Sequence, residues 1–293
     1  MMKIHGIDSC DQTIRSIDSL LSIAKHYQAF LFDQWGVLHN GVTLYPHVNA
    51  TLDKLAQLNK QIIILSNSGK PAEINRQRLL TMGLLPQFTQ HIVTSGDVAR
   101  WALSAKHKKV NTFISKKMIW LDSDHQSLEG VDQDFTRLDD YQAVVLAGLL
   151  DDKSHAFYLK LMSEINRRHL PLLCINPDIN RFTPQGIQPS VGFYGQYFQS
   201  LGGLVEFIGK PDSLVYEYTM NEFHLTQPHR IVMIGDSIHH DVLGASTMNI
   251  DSVLVRSGIH KSLFDETESL EELLNSWHQE GLPIPSYLID QVK

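Results

Sequence analysis

The chain has 293 residues, 43% of them apolar, which is enough for a large hydrophobic core and for two domains. Its 32 acidic residues outnumber its 25 basic ones, and the formal net charge of -7 argues against a non-specific nucleic-acid-binding protein. Two cysteines, Cys10 and Cys174, make no disulfide framework. The first residues lack the apolar run of a signal peptide, and no uncharged run approaches the roughly 18 residues of a spanning helix. We expect a soluble, cytoplasmic protein without nucleic-acid or membrane partners.

The first third of the chain alternates predicted helices and strands. Apolar residues at helical spacing predict an amphipathic helix over 13–27, and the apolar run Ala29–Phe32 predicts a buried strand. The elements expected next are a helix over 46–58, a strand over 61–65, a helix over 71–82 and a strand at 92–93. Recurring strand–loop–helix units are typical of a doubly wound parallel α/β sheet.

The middle of the chain indicates a smaller α/β unit inserted into that sheet. Its predicted elements are helices over 98–104 and 154–169 and strands near 110–114, 118–121, 143–146 and 172–175. The first sheet is expected to resume with strand 205–208, helix 213–224, strand 231–234, a helix from Asp241 and strand 252–255. We therefore predict a core domain of residues 1–96 and 190–293 and an inserted domain of residues 97–189.

Polar side chains follow four of the predicted core strands, namely Asp33, Ser66, Lys210, and Asp236 with Asp241. Because the carboxyl ends of parallel strands meet at one edge of a sheet, these groups should converge. Three carboxylates with a lysine and a hydroxyl suit Mg²⁺ and a phosphate group. Aspartate can act as a nucleophile that forms an aspartyl-phosphate. Lys210 and Ser66 would then stabilise charge on the phosphoryl oxygens.

Four ordered motifs resemble those of the haloacid dehalogenase (HAD) superfamily, namely DQWGVL at 33–38, SNS at 66–68, GKP at 209–211 and GDSIHHD at 235–241. The insertion, with Ile92–Gly96 and Asn176–Asp178, resembles subclass IIA, which carries a C2-type cap and contains sugar-phosphatase-like and nitrophenyl-phosphatase-like enzymes. The resemblance covers about residues 25–260. It implies a Rossmann-like HAD core with an inserted α/β cap domain.

The resemblance also implies a Mg²⁺-dependent phosphatase or phosphotransferase that acts on a small phosphorylated metabolite such as a sugar phosphate. Residue by residue, it implies Asp33 as nucleophile; Ser66, Asn67 and Lys210 as phosphate contacts; Asp33, Asp236, Asp241 and the main-chain carbonyl of Trp35 as metal ligands; and Asn176 and Asp178 as substrate contacts.

Position 35 departs from the family pattern. HAD phosphatases usually carry a second Asp two residues after the nucleophile, which protonates the leaving group and then activates water; here that residue is Trp35. An indole N–H donates a hydrogen bond but cannot shuttle a proton, and general acid–base catalysis contributes about 10²–10⁴-fold. The alternative function is a catalytically impaired relative that binds a phosphorylated ligand or partner. A dehalogenase is disfavoured, because the family's dehalogenases work without metal and this chain keeps the acidic motif at 235–241.

Structural interpretations stay open beside the functional ones. Ser66 and Asn67 could cap a helix, Asp241 could be a charge at a helix N-terminus, Asn176–Asp178 could be a turn, and Trp35 could pack beneath the cap domain. His39, His239 and His240 lie near the motifs and could ligate a metal, although 15 histidines are scattered along the chain. Cys174 is expected to be inert core.

Overall fold

A computed structural model describes residues 14–183, 186–266 and 269–293. The strands are β1 (Arg15–Ser16), β2 (Ala29–Phe32), β3 (Gln61–Ser66), β4 (Ile92–Thr94), β5 (Met118–Leu121), β6 (Ala143–Leu146), β7 (Leu172–Cys174), β8 (Asn180–Thr183), β9 (Gly186–Pro189), β10 (Val205–Phe207), β11 (Ile231–Gly235), β12 (Asp251–Val255) and β13 (Tyr287–Ile289). The α-helices are α1 (Val48–Gln57), α2 (Ala72–Thr81), α3 (Ser95–Ser104), α4 (Val131–Asp134), α5 (His155–Arg167), α6 (Val191–Ser200), α7 (Ser213–Glu222), α8 (Leu243–Thr247), α9 (Lys261–Glu266) and α10 (Leu270–Gln279).

Seven parallel strands form the larger sheet, in the order β1-β13-β12-β11-β2-β3-β4. The chain runs from β2 outward to β4 on one side and from β11 outward to β13 on the other. The strand order therefore reverses between β2 and β11. This is the doubly wound α/β sheet that the sequence predicts, and its ligand cleft is expected at this reversal.

Alternate residues of the central strands face opposite layers of helices, because side chains point to opposite faces of a sheet. Ala29 and Leu31 pack in a cluster with apolar residues of α3, α7 and α8. Phe30 and Phe32 pack on the other face with residues of α1 and α2. Side chains on both faces of β2 are buried, which explains why β2 is a continuous apolar run rather than an alternating one.

Four further parallel strands form a second sheet, in the order β10-β7-β6-β5, beside the antiparallel hairpin β8–β9. The prediction that the first sheet resumes at 205–208 is wrong, since Val205 pairs with Leu172 of β7. A short apolar run predicts a strand but does not indicate which of two sheets that strand joins. The domain boundaries stay a prediction, and this pairing moves our proposed end of the insert from residue 189 to about 207.

Most of the other predicted elements are present, with ends that differ by a few residues. Two are wrong: residues 14–27 contain β1 and 3₁₀ turns at Leu20–Ser22 and Ala24–His26, and Lys108–Phe113 is a 3₁₀ turn rather than a strand. Asp241 lies inside a π-helical turn, Ile238–Val242, instead of beginning a helix. Residue 13 and Cys10 lie outside the described residues. A 3₁₀ turn buries residues three apart, as a helix does, so the apolar spacing at the start of the chain suits both.

The expected burial of Cys174 is confirmed. Cys174 is fully buried in β7, where burial raises the pKa of its thiol to about 12. Within the ranges that the structure describes, every helix is too short or too polar to cross a membrane.

The core prediction concerns Phe30, which is fully buried and whose ring lies 6.1 Å from that of Tyr27 and 6.4 Å from that of Phe32. Phe30→Ala should lower the free energy of unfolding by about 3–5 kcal/mol, because it leaves a cavity against the sheet. Leu58→Ala is the matched control, since Leu58 is 52% exposed and should change stability by less than about 0.5 kcal/mol. Urea titration followed by circular dichroism measures both. Equal losses in the two variants would contradict the assignment of the core.

Candidate active site

Three of the predicted residues lie at the carboxyl edge of the larger sheet. Asp33 directly follows β2, Ser66 ends β3 and Asp236 directly follows β11. The N–H of Asp33 donates to the carbonyl of Ile234 at 2.9 Å, so the register between β2 and β11 brings the two strand ends together. The candidate site therefore lies at the point where the strand order reverses.

Lys210 reaches the same place by a different route from the one predicted. It follows β10 of the second sheet rather than a strand of the first. Its Nζ lies 2.6 Å from Asp33 Oδ1 and 2.7 Å from Asp241 Oδ1, and its side chain is only 2% exposed. The chain segment that returns from the insert thus supplies the positive charge of the site.

Three carboxylates converge beside this ammonium group, and two of them, Asp33 and Asp241, contact it. Among the described residues, Asp33, Asp236 and Asp241 each offer an oxygen within 4.8 Å of the others. Asp236 accepts a hydrogen bond from the N–H of Ile259 at 2.7 Å, and Asp241 Oδ2 accepts one from the N–H of Ser237 at 3.1 Å. One lysine cannot neutralise three buried carboxylates, so the residues present fit a hard divalent cation such as Mg²⁺.

Backbone packs unusually closely against Asp236. A Cβ added to Gly36 would lie 2.0 Å from Asp236 Oδ2, and one added to Gly258 would lie 1.9 Å from the same oxygen. Gly36 also has a φ of +80°, which glycine adopts without strain. The carboxylate of Asp236 therefore occupies space that a side chain at either glycine would fill. Gly258 lies beyond every motif that the sequence indicated.

The protonation of the cluster follows from burial and charge. Burial raises the pKa of Asp33 to about 7, the charge of Lys210 opposes that shift, and the charges of Asp241 and Asp178 add to it. Burial and then the charges of Asp33 and Asp241 raise the pKa of Asp236 well above its ordinary value. Burial disfavours the charged form of Lys210, yet Asp241 and Asp33 outweigh it and raise its pKa. The cluster therefore favours bound protons wherever a cation does not replace them.

Asn67 connects the site to the second sheet. Its Oδ1 accepts from the N–H of Lys210 at 2.6 Å, and its Nδ2 donates to Asp178 Oδ1 at 2.8 Å and to the carbonyl of Lys210 at 3.2 Å. Asp178 Oδ1 also lies 3.4 Å from Nδ1 of His240. The buried amide of Asn67 is thus engaged by protein groups on both sides, a positioning arrangement that the motif alone did not reveal.

Ser66 and Asn176 show the local hydrogen bonds expected of turns. Ser66 Oγ accepts from the N–H of Ser68 at 3.2 Å, and Asn176 Oδ1 accepts from the N–H of Asp178 at 3.0 Å. For Asn176 this is the turn that the sequence left open. For Ser66 it is a turn rather than the helix cap that the sequence also allowed, because Pro71 occupies the N-cap of α2. The phosphate contact of Ser66 and the substrate contact of Asn176 stay predictions.

The loop after Asp33 is stabilised by contacts between its own residues. The buried His39 accepts a hydrogen bond from the N–H of Gly41 at 2.9 Å through Nδ1, and burial lowers the pKa of His39 to about 4. A Cβ added to Gly41 would lie 3.1 Å from Nε1 of Trp35, so the indole packs against this glycine. Trp35 therefore has a packing role in the loop. In the part of the chain that the structure describes, the cluster of possible metal ligands contains none of His39, His239 and His240.

Two family models match the chain. One described as HAD-hydrolase-like matches residues 207–277, and one described as haloacid dehalogenase-like hydrolase matches residues 30–129. Together they include Asp33, Ser66, Asn67, Lys210, Asp236 and Asp241. The chain therefore belongs to the haloacid dehalogenase-like superfamily of hydrolases, as its motifs indicate.

Relatives and solved structures agree with that membership. An acid sugar phosphatase of Staphylococcus epidermidis is 22% identical over 248 residues, covering 84% of this chain and 92% of the relative. A dihydroxyacetone phosphatase of Corynebacterium glutamicum is 26% identical over 243 residues, covering 79% and 82%. The crystal structure of a haloacid dehalogenase-like hydrolase from Brucella suis superposes with a TM-score of 0.75 at 23% identity, covering 94% of this chain and all of that one. At 23% identity, this structural similarity shows that the two proteins share a fold.

The electrostatic prediction concerns metal-free protein. Asp33 should keep its proton up to about pH 7 when folded but only to about pH 3.9 when unfolded. A carboxyl whose pKa is raised by folding loses stability as pH rises through this interval. The free energy of unfolding of wild type, relative to that of Asp33→Asn, should therefore fall between about pH 4 and pH 7.

Urea titrations in chelator at several pH values measure this difference. Buried neutral histidines such as His39 contribute the opposite slope to both proteins and cancel in the comparison. Asp152→Asn, at an exposed position, should follow wild type throughout. A relative stability that is flat or rises with pH would show that Asp33 is ionised in the metal-free fold.

Proposed function

We propose that the protein is a Mg²⁺-dependent phosphatase or phosphotransferase that acts on a small phosphorylated metabolite, such as a sugar phosphate, through an aspartyl-phosphate at Asp33. The observation that carries the proposal is the buried cluster of Asp33, Asp236 and Asp241 around Lys210, at the ligand-binding edge of the sheet. The names of the relatives, acid sugar phosphatase and dihydroxyacetone phosphatase, support a phosphoric monoester as substrate.

In this proposal Mg²⁺ would be held by three carboxylates and one main-chain carbonyl, those of Asp33, Asp236, Asp241 and Trp35. The cation supplies positive charge that offsets repulsion between a carboxylate nucleophile and an anionic phosphoryl group. Asp33 attacks phosphorus in line with the leaving oxygen. Lys210, fixed between Asp33 and Asp241, stabilises charge on the phosphoryl oxygens together with Ser66. Asn67 affects the phosphate indirectly, because its side-chain amide positions Lys210. It accepts a hydrogen bond from the N–H of Lys210 and donates one to the carbonyl of Lys210.

The second sheet would serve as the cap domain in this scheme. It contributes Asp178 to the neighbourhood of Asp33 and contacts the larger sheet closely, since a Cβ added to Gly69 would lie 2.1 Å from the carbonyl oxygen of Ala147. A closed cap excludes water and contacts the leaving group. A cytoplasmic location stays a prediction from the sequence.

A second candidate function is binding of a phosphorylated ligand or partner without turnover. The observation that favours it is Trp35, which cannot transfer a proton and which packs inside its loop. Phosphate release from a panel of sugar phosphates and from 4-nitrophenyl phosphate, with and without Mg²⁺, separates the two functions. Turnover that requires both Mg²⁺ and Asp33 supports the enzyme. Tight binding with release no faster than Asp33→Asn supports the binder.

The metal prediction uses Asp236→Asn, which keeps the size of the side chain between Gly36 and Gly258. This variant should lose Mg²⁺ binding, because it removes one of three converging carboxylates. Isothermal titration calorimetry measures the affinity of wild type, of this variant and of the exposed control Asp152→Asn. Unchanged affinity in Asp236→Asn would remove Asp236 from the metal site.

The nucleophile prediction uses beryllium fluoride with Mg²⁺, which mimics an aspartyl-phosphate. A soaked crystal should show the adduct on a carboxylate oxygen of Asp33, with Lys210 Nζ within hydrogen-bond distance. Asp33→Asn should show no adduct and should lose turnover by about 10⁴–10⁶-fold, the scale of losing a nucleophile. An adduct on another residue would overturn the mechanism.

A further inference from the structure

The leaving group needs a proton from the open side of the site. In an in-line transfer the attacking and leaving oxygens lie on opposite sides of phosphorus. With Asp33 at the floor of the site, the leaving oxygen faces away from the larger sheet and toward the insert. An alkoxide is a poor leaving group unless it is protonated as it departs. The side chain that donates this proton must therefore lie on the side of the insert.

Most groups near Asp33 are unsuitable. The indole of Trp35 donates hydrogen bonds only. Lys210 is buried between two carboxylates, and Asp241 is held by it and by the N–H of Ser237. Asp236 is enclosed by two glycines. His39 is 2% exposed inside its own loop, with Nδ1 engaged by Gly41.

Asp178 has the required position. It belongs to the segment that follows β7 of the second sheet, and its Oδ1 accepts a hydrogen bond from Nδ2 of Asn67 at 2.8 Å. The same amide group binds the backbone of Lys210, whose Nζ lies 2.6 Å from Asp33 Oδ1. The side chain of Asp178 is 37% exposed, against 15% for Asp33 and 2% for Asp241. Among these carboxylates it is the one most open to a ligand.

Asp178 is also rigidly placed. Its Oδ1 accepts from Asn67 Nδ2 at 2.8 Å, and its N–H donates to Asn176 Oδ1 at 3.0 Å. The preceding residue, Pro177, is packed against two glycines, since a Cβ on Gly192 or Gly209 would lie 2.1 or 2.3 Å from it. With Oδ1 engaged by an amide N–H, the oxygen that can carry a proton is Oδ2. Preorganisation of this kind is what a general acid requires.

We propose that Asp178, on the inserted domain, is the general acid and base of the reaction and takes over the role for which position 35 has no carboxylate. The inference rests on the proposed function. As the bond between Asp33 and phosphorus forms and the ester bond breaks, the proton on Asp178 moves to the leaving oxygen, which departs as an alcohol. The Asp178 carboxylate then takes a proton from the water that attacks phosphorus. The bond to Asp33 breaks, inorganic phosphate leaves and Asp178 is protonated again.

Asp178→Asn tests this step, because the amide keeps the size of the side chain and an oxygen that can accept from Asn67. We expect kcat/KM for alkyl phosphates to fall by about 10²-fold or more. For 4-nitrophenyl phosphate, whose leaving group needs little protonation, the fall should be much smaller. The slope of log kcat/KM against leaving-group pKa should therefore steepen. Asp140→Asn, at an exposed position of the same insert, should match wild type on every ester.

A second readout follows the other half of the reaction. Without its base, Asp178→Asn should accumulate aspartyl-phosphate, so rapid mixing with 4-nitrophenyl phosphate should give a burst of nitrophenol followed by slow turnover. An equal fall for all esters with no burst would show that Asp178 only binds substrate or positions the insert, and would overturn the inference. Unchanged kinetics would overturn it too.

The same assay distinguishes this inference from the proposed function. If wild type releases phosphate in a manner that requires Asp33, and Asp178→Asn shows neither the steeper slope nor the burst, then only the role of Asp178 fails. If wild type releases no phosphate from any ester, or Asp33→Asn retains full turnover, both proposals fail.

Discussion

The arrangement of the site depends on one buried ammonium group. Lys210 Nζ lies within 2.7 Å of two carboxylates, that of Asp33 directly after β2 and that of Asp241 in the π-helical turn after β11. Removing one partner of a buried ion pair typically costs about 3–5 kcal/mol, because the remaining charge is left without compensation. Lys210 follows a strand of the second sheet. The ion pairs of Lys210 with Asp33 and Asp241 therefore also connect the insert to the core.

The insert also contributes residues that contact the candidate site. Asn67 of the core holds the backbone of Lys210 on one side and the carboxylate of Asp178 on the other. Apolar residues of both sheets, such as Leu65 and Ala147, pack in one hydrophobic cluster. A mechanism that places nucleophile and metal ligands on the core, and the proton donor on the insert, explains how position 35 can hold a packing residue. Proton transfer would then require both sheets in their observed arrangement.

Much of this protein is determined locally by the sequence. The apolar run of β2 next to Asp33, the β-branched run of β3 and the glycine that ends β11 predict a parallel α/β sheet with polar residues at one edge. These features depend on period and on chain order, and both are visible in a single sequence. For the same reason the motifs identified the superfamily and the residues that come together, including Asp33, Lys210, Asp236 and Asp241.

Only the tertiary structure decided which sheet each strand joins and which partners the side chains find. The run at 205–207 is too short to show that it pairs with β7, so the route by which Lys210 reaches the site was hidden. The contacts of Asn67 with Asp178, and of Gly258 with Asp236, join residues far apart in the chain. The first contact depends on how the two sheets pack together and the second on the pairing of β11 with β12, and no local pattern of residues encodes either. The sequence therefore determined the chemistry at the strand ends, while the packing of the second sheet decided that Asp178 lies against Asn67, beside Lys210.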